Sequence, residues 1–290
     1  MFEKISIHTP RQFVPTELTP GEWPSLEPLF DQLEQQLTDA SDAAQLEQAI
    51  LNWEDLSAAL AEEGSQRYIA MTCQTEDKAA ETAYLEFVEK IEPEEKQRNF
   101  RLAKALTEHP HRAGIDARRY EVFTRDTALE VELFRSENVA LETETTKLGQ
   151  QYQKVIGGLT VQFDGEERTL VQMGRYLEET DRDRRREAWE LVANRRLEEA
   201  ETIDGQLDEL AGLRNQMSDN AGFSNYRDYA HQRRGRFDYS PADCIAFQDA
   251  IEQEMVPLFR ELHDERRAAL GIDSVKPWDT ATDPQGRQPL

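Results

Sequence analysis

The sequence predicts a mostly α-helical protein with one small β-hairpin near 158–171. Three observations carry that expectation. Apolar residues recur three and four positions apart along most of the chain, the spacing of one helix face. The period switches to two at a single place, where Leu159, Val161 and Phe163 alternate with Thr160 and Gln162. Charged residues make up 32% of the chain against 38% hydrophobic, a balance that suits long helices with heavily charged outer faces.

Taken in order, residues 1–18 read as an extended arm, because Pro10 and Pro15 block a helix. Thr19 has the character of an N-cap, followed by Pro20 and by Glu22, so a helix is expected from Pro20 to Asp39. Asp42 with Gln45 announces a second, expected to end near Gly64. A long helical region from Gln66 to Ile91 follows, with Ala80, Tyr84, Phe87 and Ile91 on one face. Pro93 marks a break. The next helix turns Phe100, Ala103 and Leu106 inward and stops before Pro110. From 114 to 156 the composition is helical, anchored by Leu129, Leu133, Val139 and Leu148.

Gly157-Gly158 closes that stretch. Asp164-Gly165 is a hairpin turn signal, because glycine tolerates positive φ, and Thr169 and Val171 are expected on the return strand. Helix resumes at Asp181, where Asp181 and Asp183 oppose the positive end of the helix dipole. Ile203, Leu207, Leu210, Arg214 and Met217 mark one face of it, and Gly222 ends it. Ser240-Pro241 with Asp243 starts a last helix. Its expected buried stripe is Ile251, Met255, Leu258, Leu262 and Ala269, with a bend at Pro257 and an end at Gly271. Pro93, Pro110, Gly157 and Gly222 interrupt any heptad register, which argues against a coiled coil.

A net charge of −24 repels phosphate backbones and anionic membranes, so neither nucleic acid nor membrane is an expected partner. No apolar run reaches the length of a membrane span, and MFEKISIHTPRQ has no signal-peptide core. A soluble, cytoplasmic protein is expected. Cys73 and Cys244 form no CxxC pair and read as reduced, partly buried thiols.

Candidate chemistry is sparse. The histidines are His8, His109, His111, His231 and His263, and no two stand four apart, so the zinc-peptidase motif H-E-x-x-H does not occur. His109-Pro110-His111 reads as a polar loop, and His231 and His263 as solvated surface residues. There is no G-x-S-x-G elbow, Walker A loop or G-x-G-x-x-G. Cys244, near a helix start, has no local histidine and reads as a packed thiol. No catalytic residue and no metal ligand is therefore assigned, and substrate-binding residues are left unassigned. Arg182, Arg184, Arg185 and Arg186 alternate with acids, and Asp181–Arg185 and Arg186–Glu190 pairs would make a solvated helix face. Arg233, Arg234 and Arg236 precede Phe237 and Tyr239; they could meet a peptide carboxylate, but pairing within the chain is the plainer account.

The order of pieces then becomes informative. VQFDGEERTL leads to DRDRRREAWE, then LAGLRNQMSDNAGFSNYRDYA, the proline-containing MVPLF and KPWDT. Together they resemble the region before the active site in oligoendopeptidase F and its thimet-oligopeptidase relatives, a family of zinc metallopeptidases. The most specific piece runs from Leu213-Arg214-Asn215 through Ala221-Gly222-Phe223 to Asn225-Tyr226-Arg227-Asp228-Tyr229, and Lys276-Pro277-Trp278-Asp279 agrees with it. Residues 1–156 fit by type only.

The resemblance implies a multi-helix oligopeptidase fold around a channel that admits short peptides. Zinc at its floor would be held by H-E-x-x-H and a more distant glutamate. Those elements lie in the second half of family members. The expectation is thus a fold incomplete at its C-terminus: 1–180 an N-terminal helical region including the hairpin, 181–290 the start of the catalytic peptidase domain, ending before the zinc site. Such a chain alone would be inactive and bind no zinc. It would expose apolar surface to a separate catalytic half or to a second copy. The alternative is a non-enzymatic acidic helical binding or scaffold protein, or an inactive truncated product.

Overall fold

A computed structural model describes residues 11–287. Their regular structure is helical except for one antiparallel hairpin, as the periodicity implied. The chain forms two compact units, 11–147 with 213–235 and 148–212 with 236–287. The arm expected over 1–18 lies partly outside the described residues.

The first unit is a bundle built on α1 (Trp23–Asp39), α2 (Ala43–Cys73), α3 (Lys78–Lys90), α4 (Glu92–Thr107) and α5 (Ala117–Leu133). Helix α1 starts three residues later than expected: Pro24 occupies its first turn, and the carbonyls of Thr19 and Glu22 accept the Ser25 hydroxyl instead. Leu26, Leu29, Phe30, Leu33 and Leu37 are all buried, one helix face turned to the core. Asp42 caps α2 by accepting the Gln45 N–H at 2.8 Å. The helix then runs straight through Gly64. A Cβ there would lie 3.0 Å from the Phe87 ring, so this glycine serves close packing of α3 rather than a helix end.

The continuous helix expected over 66–91 is divided, because the Asp77 carboxylate accepts the N–H groups of Ala79 and Ala80 and starts α3 afresh. Pro93, expected as a break, sits in the first turn of α4, where its missing N–H is harmless. Apolar side chains of α1, α2 and α4 form the main core, closed by Phe87, Ile91 and Tyr120. Each large side chain so buried contributes about 1.5–3 kcal/mol.

Helix α6 (Ser136–Gly157) follows a sharp corner at Phe134-Arg135 and contributes to both units. In the second unit, β1 (Thr160–Phe163) pairs with β2 (Glu166–Thr169). Asp164 and Gly165 both have positive φ, 57° and 76°, the twist a two-residue hairpin turn needs. Val161 and Phe163 pack on Met173, Tyr176 and Ala188. Val171 is not on the return strand. A Thr169–Gln172 capping box turns the chain into α7 (Leu170–Met173) and leaves Val171 89% exposed.

The helix expected from Asp181 to Gly222 is two, α8 (Arg182–Leu197) and α9 (Ala200–Asn220). On the expected face of α9, Met217 is buried but Leu207 is exposed. The end of α9 belongs to the first unit, as does α10 (Tyr226–Arg233), capped by Asn225.

Helix α11 (Pro241–Ala250) begins with the expected Ser240–Asp243 capping box. It continues without a loop through a π-helical turn, Ile251–Met255, into α12 (Val256–Leu270). Pro257 has no N–H and clashes with the preceding turn, and the widened turn just ahead of it is where the helix yields. The stripe expected to be buried here is not: Ile251, Met255, Leu258 and Leu262 are 39–48% exposed, and Ala269 is exposed. Gly271, with φ of 62°, closes α12.

Candidate functional site

Two of the sequence stretches that carry the resemblance meet in the second unit. Asp279, in the segment Lys276–Thr280, is fully buried against the start of α8. Arg182 donates to both of its oxygens, at 3.0 and 2.8 Å. Arg185, itself buried, donates to Asp279 Oδ1 at 3.0 Å and to the carbonyls of Trp278, Glu179 and Thr180 at 2.8–3.0 Å. The Lys276 N–H adds a bond of 3.0 Å, and Arg266 grips the carbonyls of Asp279 and Thr282. Burial alone would raise the Asp279 pKa. Hydrogen bonds from Arg182, the Lys276 N–H and Arg185 outweigh it and bring it down to about 2.

The solvated arginine face expected here is therefore overturned at Arg185. Asp181 is the N-cap of α8, accepting the N–H groups of Asp183 and Arg184, and is not the partner of Arg185. Arg186 pairs with Asp183 at 3.5 Å, and Arg184 pairs with Asp164 and Glu179 while lying over Phe163 and Tyr176. With its charges mutually spent, this cluster is a joint that fixes the segment 276–282 to α8.

The first unit holds a cavity of about 500 Å³ between α4, α5, α6 and α10. Glu142 of α6 bridges two cations, Arg233 at 2.6 Å and Lys96 at 3.0 Å. Arg233 is thus paired within the chain, the plainer of its two accounts. Leu129, Leu133, Phe134 and Val139 supply the apolar wall, with Phe134 stacked on Phe100 at 4.1 Å. Arg135 holds the corner in place by donating to the carbonyls of Asn220, Glu132 and Phe134. Asn138 donates to the Met217 carbonyl at 3.0 Å, tying α6 to the end of α9.

Beside the cavity, burial and then repulsion from Glu92 push the Glu95 carboxyl up to about 7, against the Asn99 hydrogen bond and the Lys96 charge. Burial also raises Glu92 and Glu130. None of these acids stands out in a sequence with 58 Asp and Glu. Only the helix packing separates them from solvated neighbours.

The histidines do not converge. His8 lies outside the described residues. His109 Nδ1 accepts the His111 N–H at 3.2 Å. His231, expected to be solvated, is buried on α10, whereas His263 is exposed. Cys73, expected to be partly buried, is exposed at the end of α2, and Cys244 is half-buried. Among the described residues no three His, Cys, Asp or Glu side chains are placed to hold a metal ion, so these residues do not fit a zinc centre. No helix among them is long and apolar enough to cross a membrane.

Comparison with known proteins gives two consecutive family matches. Residues 13–134 match the peptidase M3 N-terminal domain, and residues 175–287 match peptidase family M3. No curated protein matches the chain significantly. Among solved structures, PZ peptidase A with an inhibitor shares 25% identity and a TM-score of 0.88 over 94% of this chain and 49% of its own. A protein of Bacillus anthracis strain Ames described as an oligoendopeptidase F shares 22% identity and a TM-score of 0.86, over 94% of this chain and 50% of its own. A further structure described as an oligoendopeptidase F gives 22% and 0.87, over 95% and 49%. The chain thus spans about half the length of the structures it matches.

Proposed function

The chain belongs to peptidase family M3, a metallopeptidase family, and from that premise we propose that it is the front portion of a zinc endopeptidase acting on short peptides. The observation that carries this reading is the order of the two matches, the peptidase M3 N-terminal domain over 13–134 and then peptidase family M3 over 175–287. On this reading 1–180 is the N-terminal region and 181–290 opens the catalytic domain. The described residues fit no zinc site, so the metal and its ligands would come from polypeptide beyond these residues. The role of this chain is then to build helical wall and to hold it in place through the Asp279 joint.

The uncovered side of α11 and α12 supports the same reading. Phe247, Leu258, Phe259 and Leu262 are exposed on helices that bury no residue. An apolar surface of that kind fits packing against the rest of such a fold. Free cysteines agree with a cytoplasmic setting.

The test is direct. The purified chain, incubated with zinc, is expected to retain no stoichiometric metal and to leave a quenched fluorescent peptide uncut. Tightly bound zinc at one per chain with EDTA-sensitive cleavage would overturn the division of labour. A coding sequence with no H-E-x-x-H motif downstream of these residues would instead favour a non-enzymatic binding protein.

A further inference from the structure

Helix α11, the π-helical turn and α12 form one continuous rod, 241–270, about 45 Å long at the rise of a helix. No residue of it is buried, and Phe247 and Phe259 are more than half exposed. Among the described residues, a single side chain ties the rod to the rest of the chain by a polar or ring contact. Arg266 donates to the Asp279 carbonyl at 3.1 Å and to the Thr282 carbonyl at 2.7 Å. The other polar contacts stay inside the rod or at its cap: Arg267 pairs with Asp264, and Asp243 and Ser240 cap each other. The loops on either side are exposed at 237–240 and at Gly271, whose φ is 62°.

We propose that Arg266 is a latch and that 241–270 is an arm, free to swing on its flanking loops once that one side chain lets go. A helix carries its backbone hydrogen bonds within itself, so the rod can change bearing without unfolding. What normally holds a helix in one bearing is the packing of a buried face, and this rod has none. Glycine at positive φ tolerates backbone rotation that other residues resist, which suits the Gly271 end to a hinge. The far side of the latch is firm, because the Asp279 carboxylate is held by Arg182 and Arg185 of α8. Thr282 is anchored as well, its hydroxyl donating to the Glu179 carbonyl at 3.2 Å. Arg266 therefore closes on two fixed carbonyls. Two hydrogen bonds from one planar guanidinium set direction as well as distance. Loss of Arg266 frees the arm alone, whereas loss of Asp279 loosens both the arm and the segment it is latched to. Phe247, Leu258, Phe259 and Leu262 ride on this arm, so the latch sets where that apolar surface is presented. The inference holds whether or not the chain serves a peptidase.

Nitroxide labels on Gln248→Cys in α11 and Glu190→Cys in α8 test it by pulsed electron–electron double resonance on the full chain. Cys73 and Cys244 are replaced by serine, and the labelled chain is diluted in unlabelled chain so that only distances within one molecule are read. The parent should give a narrow distance distribution. Arg266→Ala should broaden it by about twofold or more. Hydrogen exchange over 241–270 should stay as in the parent, because the arm moves as an intact helix. Arg267→Ala, which removes only a pairing with Asp264 inside the arm, should leave the distribution narrow. An Arg266→Ala distribution as narrow as the parent's would overturn the proposal, since other contacts would then hold the rod. So would a parent distribution already as broad as the variant's, or equal broadening by Arg267→Ala. Faster exchange over 241–270 in the Arg266→Ala chain would also overturn it, because the rod would then melt and not swing.

Discussion

The two units hold themselves together by different means. In the first, stripes such as Leu26, Phe30, Leu33 and Leu37 interlock with neighbouring helices and vanish from solvent. In the second, the buried apolar cluster is the small one around Val161, Phe163 and Tyr176, α11 and α12 carry a comparable stripe that nothing among the described residues covers, and a polar joint at Asp279 fixes the segment 276–282. The difference teaches that helical periodicity specifies which face is apolar and leaves open whether a partner arrives to cover it. It also shows two opposite ways of treating a shielded carboxyl. Asp279 is surrounded by donors and held near 2, whereas Glu95 stands beside another acid and rises to about 7.

The largest expected effect breaks the joint. Asp279→Ala leaves the buried Arg185 guanidinium without its counter-charge, and loss of one partner from a buried pair costs about 3–5 kcal/mol. Hydrogen exchange read segment by segment should show loss of protection over 182–185 and 276–282 while α1 and α2 stay protected. Uniform loss across both units would mean that they do not differ in the way described.

Next comes the apolar core. Leu33→Ala removes a fully buried side chain and should cost about 3 kcal/mol through lost burial and the cavity left behind. Leu258→Ala, the matching change on the uncovered stripe, should fall within about 0.5 kcal/mol. Urea melts of the two variants compare the stripes directly, and equal losses would show that α12 is covered in solution.

A smaller effect concerns pH. A carboxyl whose folded pKa lies above its unfolded value holds its proton more tightly when folded. The contribution of Glu95 is therefore complete below an ordinary value near 4.5 and disappears as pH rises through about 7. Glu95→Gln should make the first unit less sensitive to pH across that window, a change on the order of 2 kcal/mol between pH 5 and 8. Asp279 has the opposite sign: its contribution is present above about 3.8 and lost as pH falls through about 2. Melting temperatures of the parent and the Gln variant at several pH values check the first statement, and parallel curves would contradict it.

What could be read from sequence was what is decided within a few residues. Asp42, Ser240 with Asp243, and Asp164-Gly165 act on their immediate neighbours, and each does what its chemistry implies. Gly64 and Pro93 are local signals of helix ends that the surroundings override, one by the approach of Phe87 and the other by its place in a first turn. Arg185 was opaque because its partner lies 94 residues away, while an acid four residues back offered a plausible pair. The cavity was opaque for a similar reason. Lys96, Glu130 and Glu142 come from three helices and Arg233 from a fourth, and each is an ordinary charged residue in its own segment. The family resemblance was legible because its motifs survive as contiguous stretches, even where the side-chain contacts they serve could not be read.

The π-helical turn at Ile251–Met255 works as a phase adjuster. One residue of α-helix subtends about 100°, so one extra residue in a regular helix would swing everything after it to a different side. A π turn absorbs such a residue in place by widening a single turn. Ile251 and Leu258 stand seven residues apart, about two turns of a regular helix, so the widened turn swings Leu258 and Leu262 by on the order of 100° from the bearing of Phe247 and Ile251. A one-residue deletion inside 251–255 should accordingly leave the bearing of α12 relative to α11 as it is, whereas the same deletion two turns further on would rotate the rest of α12 by about 100°.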